Sequence, residues 1–209
     1  MKIVHFIYLS IIGIIIIAFS FFSTKEENAH IPDEVYESLK ADSYNFNQIQ
    51  NITMEQFRSE NTTVDKSTLL FTEKGDSISI LELTKKGNRF IIRFNDTGCL
   101  SCISFFNNHL HEINDFLETI GTEQSAIIIN TNNPRIIRSF KNQHKLTCEV
   151  FGLPLGGLSL ALETEDSVVA FYFCVLSKEM QIEKCFINIQ DWPERTNAYF
   201  ESIKRKFIK

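Results

Sequence analysis

The chain has 209 residues, 44% of them apolar and 22% charged, with a formal net charge of −5. That length suits one folded domain plus an appendage, and the apolar share is ordinary for a globular protein. Net negative charge, with no basic cluster beyond the terminal Lys204-Arg205-Lys206, argues against nucleic acid as a partner.

Ile3 to Phe22 is nearly all apolar, interrupted only by His5, Tyr8, Ser10, Gly13 and Ser20, and is long enough to cross a bilayer as a helix. Lys2 precedes it, whereas Lys25, Glu26 and Glu27 follow, so the positive-inside tendency leaves the bulk of the chain outside the cytoplasm. Ala18 and Ser20 would suit a signal-peptide cleavage site. The run continues into Phe21 and Phe22, which favours an uncleaved anchor over 1–23 and a membrane-tethered, periplasmic location. Residues 24–66 are polar and read as a spacer, with short helices expected over Pro32–Leu39 and Thr53–Phe57. The folded domain is expected over 67–209.

From Thr68 the segment TLLFTEKGDSISILEL predicts a hairpin about Lys74-Gly75-Asp76, with Ile78 and Ile80 alternating on its second strand and a turn over Leu81–Thr84. Phe90, Ile91, Ile92 and Phe94 make the next strand, and Asn95, Asp96, Thr97 and Gly98 are turn formers that stop it. A helix is expected from Cys99, with Cys102, Ile103, Phe106, Leu110, Ile113, Phe116 and Leu117 on one buried face. Cys99 then sits in the first turn, where unpaired N–H groups and the helix dipole favour a thiolate, the attacking species. Cys102 lies about one turn on, near enough to close a small disulfide and release a partner from a mixed disulfide. Cys99 is thus the candidate nucleophile and Cys102 the resolving thiol. A structural bridge and half of a zinc site are the alternatives. The zinc reading needs two more ligands; His144 and Cys148 are spaced four apart, but Lys145 and Leu146 between them suggest entry into a strand, and no second Cys-x-x-Cys exists.

Ser125–Asn130 predicts a strand buried on both faces, which makes a parallel crossover with the first. Pro134 suits a first helical position, with Ile136, Ile137 and Phe140 as the apolar stripe. A strand is expected around Thr147–Phe151, then a loop through Gly152, Pro154, Gly156 and Gly157. Val168–Leu176 and Gln181–Ile189 predict an antiparallel pair, and Pro193 opens a closing helix marked by Tyr199, Phe200, Ile203 and Phe207. Five cysteines is an odd number. Cys148 is expected to be a core thiol. Cys174 and Cys185 are expected as buried free thiols, with a cross-strand disulfide as the alternative.

This order, and above all RFIIRFNDTGCLSC, resembles the thioredoxin superfamily, specifically its membrane-anchored, TlpA-like redoxin branch, over Thr68–Lys209. The resemblance implies an α/β fold, a thioredoxin-like three-layer sandwich with a mixed central sheet. It also implies extracytoplasmic thiol/disulfide exchange with protein thiols and disulfides of the cell envelope, with no bound cofactor and no metal. The family's aromatic residue before the first cysteine is Gly98 here, and the dipeptide between the cysteines is Leu100-Ser101 without the common proline. The family's cis-proline aligns with Phe171, preceded by Ala170, which makes Gly98, Ala170 and Phe171 the implied substrate-binding positions. A trans bond is expected there, because a non-proline cis bond costs about 3 kcal/mol. Pro154 would take that role only if Leu158–Leu162 were the following strand. A non-catalytic thioredoxin-fold binding module with a structural Cys99–Cys102 bridge is the alternative function.

Overall fold

The computed structural model describes residues 46–47, 49–95, 104, 106–164, 169–187 and 193–208. Residues from Gln48 onward form one compact unit, and of the other, Met1–Asn47, only the helical residues 46 and 47 are described. The expected anchor, the helix over Pro32–Leu39, and Gly98, Cys99 and Cys102 lie outside the described residues. Among the described residues, no helix is long and apolar enough to cross a membrane.

Strands β1 (Leu69–Phe71), β2 (Ser77–Ser79), β3 (Arg89–Phe94), β4 (Ser125–Ile129), β5 (Glu149–Gly152), β6 (Phe171–Leu176) and β7 (Ile182–Phe186) join in one mixed sheet. Its order is β2-β1-β5-β4-β3-β6-β7. β4 runs parallel to both β3 and β5, whereas β6 is antiparallel to β3 and β7 to β6. The helices are α1 over residues 49–59, α2 (Ile80–Thr84), α3 (Leu110–Ile120), α4 (Pro134–Gln143) and α5 (Pro193–Phe207).

Every residue of β3 is buried, and side chains alternate across a strand, so this one element feeds two cores. Phe90, Ile92 and Phe94 point into the first, with Phe116 and Leu117 of α3, Ile137 and Phe140 of α4, and Tyr199, Phe200 and Ile203 of α5. Aromatic rings fill it: Phe116 stacks on Phe200 at 4.2 Å, and Phe90 meets Phe116 edge to face at 5.0 Å. Ile91 points the other way, into a second core with Val64, Leu83, Leu153, Leu158 and Leu162, against which Ile52 of α1 packs. The sheet therefore lies between a layer of three long helices and a layer built from α1, α2 and the loop after β5.

Local chemistry accounts for the departures from expectation. β2 stops at Ser79, whose hydroxyl accepts the Leu81 N–H and caps α2, so Ile80 begins a helix instead of continuing the strand. The helix expected to run unbroken from Cys99 is interrupted at His109, with φ −110° and ψ 12°, before α3, and Leu110 is only partly buried. Asn133 and Pro134 open α4 as cap and first residue, but Ile136 faces water at 46% exposure while Ile137 and Phe140 make the contact. β5 starts at Glu149 and ends at Gly152, where an added Cβ would lie 2.4 Å from Thr131 O. The folded unit also begins before residue 67. Val64 is 1% exposed and donates its N–H to Met180 O at 2.8 Å, and Thr63 bridges Gln181, so the end of the expected spacer is a piece of the domain.

Candidate functional site

In the sequence Cys99 follows the end of β3 by five residues, so the described residues around the C-terminal end of β3 are the ones that bear on the candidate site. β4, parallel to β3, ends at the same edge, and β6, antiparallel, begins there, with Phe94 opposite Phe171. One residue further, the Asn95 N–H donates to Ala170 O at 2.8 Å. Ala170 and Phe171 thus lie at the start of β6 beside the C-terminal end of β3. No cis peptide bond occurs among the described residues, so the Ala170–Phe171 bond is trans. Phe171 is 5% exposed and stacks on Phe94 at 5.5 Å, so its ring belongs to the core, and Ala170, partly exposed, is the one that reaches the surface. Pro154 does not take the docking role: Leu158–Leu162 forms no strand, and Ala161–Glu163 is a 3-10 turn.

Beneath this edge lies an aromatic floor. Phe106 meets Phe94 edge to face at 5.1 Å, and His144, 3% exposed, packs on Phe106 at 5.5 Å and Phe140 at 4.5 Å. Burial lowers the His144 pKa and keeps the imidazole neutral. Among the described residues, which do not include Cys99 and Cys102, no group of three or more His, Cys, Asp and Glu side chains could hold a metal ion.

On the opposite face of the sheet, alternate residues of β3 fasten the loop that runs from β5 to Ala170. Arg93 is fully buried; its Nε donates to Glu163, Nη1 to Leu153 O at 2.8 Å and Nη2 to Pro154 O at 3.1 Å. Glu163 also accepts the Leu158 N–H at 2.8 Å and the Tyr172 hydroxyl at 3.1 Å. Burial and the neighbouring Glu163 carboxylate raise the Tyr172 pKa well above its ordinary value, so it stays a donor. Asn95 Nδ2 donates to Leu162 O and to Val169 O, and Asn130 Nδ2 donates to Asn95 O at 2.8 Å. These residues carry no motif. The available signal was the charge of Arg93 inside an apolar strand run, since a charge there must be paired.

Cys148, Cys174 and Cys185 are free and buried. Desolvation pushes the Cys148 thiol up to about 11 and that of Cys185 to about 12, and raises Cys174 well above its usual range. The cross-strand bridge does not form. The register between β6 and β7 shifts between Phe173 and Val175, so Cys174 meets a bulge instead of a single opposed residue.

The sequence matches no protein-family model and no curated protein. Its structure is similar to that of a proposed protein disulfide isomerase from Bacteroides thetaiotaomicron, at 13% identity and TM-score 0.51, covering 72% of this chain and 90% of that one. It is also similar to the peroxidoxin BcpB from Mycobacterium tuberculosis, at 10% identity and TM-score 0.50, covering 69% of this chain and 97% of that one. The mixed sheet, its helices and these likenesses give the chain the thioredoxin-like fold shared by thiol/disulfide oxidoreductases and redoxins.

Proposed function

We propose that the chain is a thiol/disulfide oxidoreductase, tethered to the membrane through residues 3–22 with its domain outside the cytoplasm, acting on protein disulfides of the cell envelope. The observation that carries this reading is the division among the cysteines. Three are buried, with desolvated thiols that resist ionisation, which leaves Cys99 and Cys102 as the pair for exchange, following the strand end where β6 begins. The Cys99 thiolate attacks one sulfur of the partner disulfide, forming a mixed disulfide and releasing the partner's other sulfur as a thiolate that takes up a proton. The Cys102 thiolate then attacks Cys99 Sγ, freeing the second partner thiol and leaving the Cys99–Cys102 disulfide, so two electrons pass to the partner. No bound cofactor is needed for these steps.

Reduction of insulin by the full chain in detergent tests the reading. Cys99→Ser is expected to abolish exchange, and an unchanged rate in that variant would refute it.

The trans bond before Phe171 favours a second reading, a non-catalytic binding module in which Cys99 and Cys102 form a structural bridge. Trapping separates the two. A reactive pair accumulates mixed disulfides on Cys99 in Cys102→Ser, whereas a structural pair only loses stability.

A further inference from the structure

Helix α1 presents two unlike faces. Toward the domain, Ile52 packs on the second core, Ile49, Thr53 and Gln56 are half-buried, and Ser59 is fully buried, so the helix is fixed to its layer. Toward solvent, Gln50, Asn51, Met54, Phe57 and Arg58 recur at helical spacing and are all exposed. Met54 is 47% and Phe57 68% exposed, and at three positions apart they are neighbours on the helix surface. Among the described residues this face has no carboxylate, and its one charge is Arg58, in a chain whose net charge is −5. Glu55 lies on the flank and is half-buried. Apolar side chains exposed singly are ordinary. An adjacent pair beside a cation, on a helix face without acidic groups, is instead the pattern of a helix that lies in a membrane interface.

We propose that this face of α1 docks on the bilayer surface, with Met54 and Phe57 at the boundary between headgroups and acyl chains and Arg58 on lipid phosphates. This rests on the membrane tether through residues 3–22 in the function proposed above. The length of chain favours that occupant. The apolar run ends at Phe22 and α1 begins at residue 49, so residues 23–48 keep the helix within about 90 Å of the bilayer even at full extension. α1 is also the first described element of the compact unit that starts at Gln48. A surface tethered in this way meets the bilayer at high effective concentration, so two apolar side chains and a cation suffice where they would not recruit a free protein. A second copy has no such help: Met54 and Phe57 set against themselves bury far less area than a stable dimer needs.

Flotation and fluorescence of the full chain in phosphatidylcholine vesicles test this. Trp192 is the only tryptophan, so Phe57→Trp in a Trp192→Phe background puts one indole on the face. Ile136→Trp in the same background is the reference, because Ile136 is 46% exposed on α4, in the layer across the sheet. The vesicles carry lipid brominated near the start of its acyl chains. The Phe57→Trp indole is expected to lose about half its emission and the Ile136→Trp indole less than about a tenth, since an interfacial helix sinks about 5–10 Å, within reach of the bromines. Adding Met54→Glu is expected to bring the loss down to that of the reference. Equal losses at the two positions, or a loss that Met54→Glu leaves unchanged, overturn the proposal. Protection of the Phe57→Trp indole from acrylamide in detergent as well as in vesicles, without bromine quenching, means that the face meets a second copy, and overturns it too. Should the Trp192→Phe background fail to fold, the emission that Phe57→Trp adds to the wild-type signal is read instead. A wild-type chain that does not float with the vesicles overturns the tether, and this docking with it, whereas a chain that floats without quenching overturns the docking alone.

Discussion

His144 is a single residue whose burial sets a measurable pH dependence. Its imidazole sits at 3% exposure between Phe106 and Phe140, and desolvation lowers its pKa from the usual 6.5. The unfolded chain therefore binds the proton more readily than the native one below about pH 6.5. The His144 contribution to stability is complete above that pH and is lost as pH falls toward the depressed native value. His144→Gln is expected to flatten the fall in urea midpoint between pH 7 and 5, and an unaltered slope would show that other groups carry it. The same desolvation keeps Cys148, Cys174 and Cys185 as thiols, so their sulfurs serve packing in the way small apolar side chains do.

At the scale of elements, β3 joins a strand to a loop through a charge. Arg93 and Glu163 are both fully buried at the side chain, and two carbonyls, one N–H and one phenol complete their hydrogen bonding. Such a pair adds little net stability over an apolar replacement, because desolvation offsets the attraction, but removing one partner strands the other. Arg93→Met is expected to cost about 3–5 kcal/mol, and Arg93→Met with Glu163→Leu clearly less than the sum of the two single changes. Urea denaturation of the four proteins in the cycle measures this. Strict additivity would mean the two groups act independently. The loop from Leu153 to Glu163 has no long helix of its own, and this ion pair, with the Asn95 amide on Leu162 O, ties it to the sheet at the edge where β6 begins.

For the molecule as a whole, the folded unit begins in a segment whose composition resembles a linker. Asn61 N–H bonds Ile182 O at 2.7 Å, Val64 N–H bonds Met180 O at 2.8 Å, and the Val64 side chain is 1% exposed. A fragment starting at residue 67 is therefore expected to be less stable than one starting at residue 48, by about 2–3 kcal/mol for the Val64 burial alone. Equal urea midpoints would show that this segment merely lies on the surface.

Much of the architecture was legible in the chain because it rests on local rules. β3 ended after Phe94, as its sequence predicted, a continuous apolar run made β4, Pro134 opened α4, and the aromatic stripe of α5 had helical spacing. The Cys99-x-x-Cys102 spacing, which points to exchange chemistry, is likewise a local pattern. Other features needed partners distant in sequence. Arg93 meets a residue 70 positions away, Asn95 reaches 67 and 74 positions along, and Val64 docks on the turn before β7. Sequence alone determined the elements and the candidate cysteine pair, since period, turn chemistry and spacing act within a few residues. Tertiary structure alone decided which polar groups end up facing one another at the end of β3, because burial forces hydrogen bonds between segments that no local pattern links.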